Sequence, residues 1–152
     1  MKKDKKQKTI KEITQQRLHS IDFELLKNIR NVNFSIEPNN VTGIFGINGC
    51  GKSTLIHAIA CLYKPTDSDK ERKNHKFSSY FTPTTHSAWK GSLFTIEHSY
   101  RKNGKEVSHE KKEYRKDDSR WAPQYSRRPE RDVYFIGIDT SVPDIEKEKT
   151  LL

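Results

Sequence analysis

The chain has 152 residues, 32% of them apolar and 32% charged, with a net charge of +9 and a pI near 9.5. That length points to at most one ordinary domain, with a thin core. Two cysteines out of metal-ligand spacing offer no disulfide framework, and no apolar run is long enough for a membrane helix.

Met1-Lys2-Lys3-Asp4-Lys5-Lys6 is basic but is followed by no apolar run of the signal-peptide kind, so a reduced, cytoplasmic setting is expected. Residues 1–17 carry seven basic and two acidic side chains, a net +5. Such a run suits either a solvated terminus or an arm that contacts nucleic-acid phosphates. Residues 1–20 read as a flexible basic N-terminus with a short helix over Thr9–His19, where Thr9 and Glu12 make a capping box.

From Ile21 the pattern changes to strands. Phe23, Leu25 and Leu26 begin one, and Val32, Phe34 and Ile36 alternate with polar neighbours, as a half-buried strand requires. Glu37-Pro38-Asn39-Asn40 is a turn. Val41–Phe45 then reads as a buried strand that leads into Gly46-Ile47-Asn48-Gly49-Cys50-Gly51-Lys52-Ser53, with a buried helix from Ser53 to Tyr63 behind it. The eight-residue run has the form G-x-x-x-x-G-K-S. Strand, glycine-rich loop and helix in that order are the context of a phosphate-binding P-loop.

The residue types match the chemistry. Glycines let successive backbone N–H groups turn toward one anion, and the helix start adds unpaired N–H groups and a favourable dipole. Gly46, Ile47, Asn48, Gly49, Cys50, Gly51, Lys52, Ser53 and Thr54 are therefore the candidate ATP-binding residues. Lys52 is the candidate catalytic residue, reaching the β- and γ-phosphates. The Ser53 hydroxyl is the candidate Mg²⁺ ligand, and Thr54 is placed for the α-phosphate side. Cys50 is either an oxidisable thiol or simply a small loop residue, and His57 reads as a partly exposed helix position.

Residues 66–76 form a polar loop. Ser92–Tyr100 and Lys105–Tyr114 flank Asn103-Gly104, a strong hairpin signal. Lys116–Arg131 interleaves charges with Trp121, Pro123, Tyr125 and Pro129, which suits a loop covering the sheet or a nucleic-acid stacking platform. Val133–Ile138 reads as another buried strand, and residues 146–152 as a polar tail.

Leu26-Lys27-Asn28-Ile29, Phe34-Ser35-Ile36 and the run from Gly43 to Leu55 together resemble the opening of an ABC-type ATPase head, closest in pattern to RecF, SMC, SbcC and OLD-like AAA proteins. The resemblance is strong over residues 23–63 and weaker through Phe77–Trp89 and Arg127–Asp139. It implies an α/β P-loop sheet with an antiparallel β edge from 21–36 and 77–115, a partial ATPase domain over 21–145. It also implies MgATP as cofactor, possible DNA contact, and pairing with a second ATPase segment or subunit. Such heads carry a signature motif and a Walker B strand ending in Asp-Glu. Here Asp139 ends an apolar run but Thr140 follows it, so Asp139 is either a Walker B residue or the end of a structural strand. The expected function is ATP binding by part of such an ATPase, linked to DNA repair or defence. The alternative is a non-catalytic nucleotide- or DNA-binding module. A transporter ATPase and a nucleotide kinase fit the chain less well.

Overall fold

The computed structural model describes residues 13–66, 74–85, 89–105, 107–118 and 120–137. Five strands form one sheet, β1 (Ile13–Leu26), β2 (Ile29–Ser35), β3 (Leu93–Lys102), β4 (Val107–Lys116) and β5 (Trp121–Ala122). Their order is β2-β1-β3-β4-β5, with every neighbouring pair antiparallel. Among the described residues, helix α1 (Lys52–Ala60) and the single-turn helix α2 (Phe77–Tyr80) complete the regular structure, with a 3-10 turn at Tyr125–Arg127.

The two hairpins follow from local chemistry. Leu26 pairs with Ile29 across a two-residue loop in which Lys27 takes φ 57°. Between β3 and β4, Asn103 and Gly104 both take positive φ, 50° and 69°, and Lys105 N–H donates to the Lys102 carbonyl at 3.0 Å. That is the turn the Asn-Gly pair predicts, because its twist matches that of the flanking strands. Bulges break the β1–β3 register between Thr14 and Arg17, Leu18 and Ser20, and Phe23 and Leu25.

One face of the sheet carries the core. Phe23 lies opposite Phe94 and Ile21 opposite Ile96, all four fully buried. Side chains of this size each contribute roughly 1.5–3 kcal/mol through burial. Phe94 stacks on Tyr114 at 5.2 Å and Phe77 on Trp121 at 4.5 Å. Helix α1 adds Leu55, Ala58 and Ala60, and the turn after it adds Cys61, Leu62 and Tyr63. The buried Tyr114 hydroxyl donates to the Leu62 carbonyl at 2.5 Å. Arg128, also buried, donates from Nη1 to the carbonyls of Cys61 (2.8 Å) and His75 (3.1 Å) and lies 4.5 Å over the Phe77 ring. The segment around Trp121 and Arg128 is thus a cover on the core.

Several expectations are corrected. Residues 13–19, read as the end of a helix, are the first half of β1, while Thr9 and Glu12 lie outside the described residues. Their local helix signal loses to pairing with β3, which supplies a complete hydrogen-bond ladder. Residues 77–80 are helical rather than strand. Among the described residues the fold is an antiparallel sheet with few helices, which fits the expected antiparallel edge of a partial P-loop ATPase domain. Val41–Phe45 and residues 133–137 join no strand, and Val41, Phe45, Tyr134 and Ile136 are 99, 93, 83 and 81% exposed. A buried parallel strand needs ladders beside it and cover on both faces; neither segment has them here.

Candidate functional site

The glycine-rich loop runs from Gly46 into the N-terminus of α1. Gly51 caps the helix at φ 106° and Gly49 takes φ 82°, conformations that favour glycine at both positions. A Cβ at Gly51 would also stand 3.0 Å from Ile29 Cγ1. The first helical hydrogen bond is Leu55 N–H to the Gly51 carbonyl, 2.9 Å. The N–H groups of Lys52, Ser53 and Thr54 precede it, in the turn where a helix has no internal acceptors.

Lys52 folds back over the loop. Its Nζ donates to the carbonyls of Gly46 (2.7 Å) and Ile47 (2.8 Å) and lies 4.0 Å from Cys50 Sγ. The ammonium is held at the mouth of the turn formed by Gly46–Gly51, the position an anion would share with the helix N-terminus. Ser53 is exposed and Thr54 half-buried. No acidic residue occurs between residues 41 and 60. The residues therefore fit a phosphate chain with its cation, since open N–H groups, one mobile positive charge and a free hydroxyl converge on one helix start.

One contact was not foreseen from the motif. Asn28, in the β1–β2 turn, donates from Nδ2 to the Gly49 carbonyl at 2.9 Å. The signal for it is the two-residue spacing between Leu26 and Ile29, which forces a tight turn beside the loop.

The other candidates separate from this site. Burial lowers the pKa of His57, whose ring stacks on Tyr80 at 4.6 Å and meets Phe135 edge-on at 5.4 Å, an inward structural position. Asp139 and Thr140 lie outside the described residues. A cleft of about 630 Å³ lined by Gln15, Arg17, Ile36, Pro38, Tyr63 and Tyr134 includes no residue of the phosphate loop.

The family model described as ABC transporter matches residues 29–148, which contain the loop, α1 and the β3–β4 hairpin. The chain belongs to the ABC transporter family. Within that family, it is 40% identical over 50 residues to the ABC-type transporter ATP-binding protein EcsA of Bacillus subtilis (strain 168), covering 33% of this chain and 20% of that protein. It is 41% identical over 54 residues to the methionine import ATP-binding protein MetN of Lactobacillus acidophilus, 36% of this chain and 15% of that protein. It is 50% identical over 38 residues to the nisin transport ATP-binding protein NisT of Lactococcus lactis subsp. lactis, 25% and 6% respectively. The chain thus spans a fifth or less of the length of these relatives. No solved structure matches it significantly. Among the described residues, no helix is long and apolar enough to cross a membrane.

Proposed function

We infer that this ABC transporter chain binds MgATP through Gly46–Thr54 and acts as the nucleotide-holding part of an ABC-type ATPase. The observation that carries this reading is Lys52 Nζ seated on the Gly46 and Ile47 carbonyls beside the N-terminus of α1. Backbone N–H groups from Gly49 to Thr54 cradle the phosphates, Lys52 neutralises the β- and γ-phosphates, and Ser53 ligates Mg²⁺. Positioning and charge stabilisation dominate phosphoryl transfer, and the described residues supply only the cradle side of both. Hydrolysis then requires a second ATPase segment or subunit. The exposed side chains of Val41, Phe45, Tyr134 and Ile136 support such pairing, because apolar surface on two unpaired extended segments favours a covering partner. The printed names of the relatives favour work coupled to transport. Calorimetric titration with MgATP tests the site, with saturable binding to the parent chain and its loss in Lys52→Ala as the expected result. Equal affinity in both would remove the assignment.

A DNA-linked role of the RecF, SMC or OLD-like kind is the second reading. Its support is the net charge of +9 and the basic first 17 residues. Contact through phosphates weakens steeply with salt because counterions are released. Gel shifts across a salt series test it, and the absence of any shift at low salt would exclude it.

A further inference from the structure

Two buried polar atoms without a hydrogen-bond partner, His98 Nε2 and Arg128 Nε, belong to residues lining one small cavity, away from the phosphate loop. The residues are 3 and 5% exposed. The cavity, of about 160 Å³, is also lined by Tyr63, Lys102, Lys112 and Arg127. Buried polar atoms in folded proteins nearly always have partners, so two such atoms at one space call for an occupant.

The charge of that occupant follows from which groups are already engaged. Two carboxylates line the cavity. Glu130 pairs with Lys64 at 3.0 Å. Glu110 accepts from the Tyr100 hydroxyl at 2.6 Å, and its other oxygen stands 3.7 Å from His98 Nε2. Lys102, Lys112 and Arg127 have no carboxylate partner among the described residues. Arg128 adds a buried guanidinium to the lining, while Arg131, outside the cavity, lies 5.3 Å over the Tyr63 ring. The surroundings therefore hold more positive than negative charge. The unpartnered Arg128 Nε–H is a donor, the Tyr63 hydroxyl keeps its own proton to donate while its oxygen accepts from Arg131, and His98 Nε2 donates whenever it carries a proton. The groups come from different sides: the turn after α1, β3, and the segment after the 3-10 turn. Converging donors with excess positive charge suit a tetrahedral oxyanion. The space of about 160 Å³ admits one.

We propose that this cavity is a second ligand site, binding a phosphate-class oxyanion independently of the phosphate loop. Free phosphate and the end of a phosphate monoester share the required chemistry. Tyr63 and Arg128 donate to its oxygens, and Lys112 and Lys102 neutralise its charge at the rim.

The test uses the full-length chain carrying Lys52→Ala, so that the phosphate loop does not contribute. Inorganic phosphate and phenyl phosphate are titrated separately and followed by amide chemical shifts. Saturable shifts centred on residues 98, 112 and 127–128 are expected with inorganic phosphate. Matching shifts with phenyl phosphate would extend the site to monoester ends, and shifts with inorganic phosphate alone would restrict it to the free ion. Adding Lys112→Gln should weaken binding about tenfold, the scale of one charge-assisted contact. Lys102→Gln, at a separate strand position, should weaken it in the same direction. Shifts confined to residues 46–54, unsaturable shifts spread over the surface lysines, or equal affinity with and without both Gln substitutions would overturn the proposal.

Discussion

Asn28 and Gly49, 21 positions apart, are joined by a 2.9 Å hydrogen bond from the Asn28 amide to the Gly49 carbonyl. This bond fixes the crown of the phosphate loop to the tight turn of the first hairpin. It also turns the Gly49 carbonyl toward Asn28, and it carries the antiparallel sheet's rigidity into a loop of otherwise exposed residues. Asn28→Ala should lower MgATP affinity about two- to tenfold, the range of one neutral hydrogen bond of ~0.5–1.5 kcal/mol. Calorimetry paired with a thermal melt checks this. A melt that collapses along with affinity would place the role of Asn28 in folding instead.

Nucleotide binding by this chain alone should come with almost no turnover. Lys52 is present, yet the sequence contains no Asp-Glu pair at the end of an apolar run to orient an attacking water. Steady-state phosphate release from purified chain should equal that of Lys52→Ala. Robust release abolished by both Lys52→Ala and Asp139→Asn would instead establish Asp139 as the Walker B residue.

Tyr114→Phe should cost roughly 1–3 kcal/mol of stability, because it strands the Leu62 carbonyl inside the core without a donor. Burial pushes the Tyr114 phenol far above its usual pKa, so the hydroxyl stays a donor across the working range. Urea unfolding at neutral pH measures the difference, with the midpoint falling and the slope unchanged.

Stability should decline as pH falls below about 6.5. Burial lowers the pKa of His19, His57 and His98 in the fold from the ordinary value of 6.5. For His98 the nearby Glu110 opposes that shift while Lys112 and Arg131 reinforce it. The unfolded chain then takes up protons that the folded chain resists, so the stabilisation is complete above the unfolded value and is lost as pH drops through the folded ones. Thermal melts from neutral to mildly acidic pH should show this slope, and His98→Gln should flatten it.

The parts of the fold legible in the sequence are those whose cause is local. Asn103-Gly104 dictates its own turn, Val32 and Phe34 lie in the strand that their alternation announces, and the Gly46–Ser53 spacing specifies both the loop and the helix behind it. The illegible parts depend on distant partners. Residues 13–20 show weak alternation and become strand because β3 lies beside them. Val41–Phe45 has a strand's composition but no ladder, and composition alone does not supply one. At the candidate site, the glycine and lysine roles follow from the motif. Asn28 escaped notice because its bond depends on how a hairpin turn and a loop meet in space.

Strand β1 sits between its own hairpin partner and β3, whose paired residues lie 68 to 89 positions away along the chain. Each hairpin can close on a microsecond scale by itself, but the seam between them must wait for a large loop to close. During synthesis, β1 and β2 emerge long before β3 exists, with Phe23 and Ile21 bare on one face. Arg128, which ties down the carbonyls of Cys61 and His75, arrives later still. The nascent chain therefore passes through a stage in which a two-stranded ribbon with an apolar face waits for its neighbour. That is the interval in which a holding chaperone has most to protect.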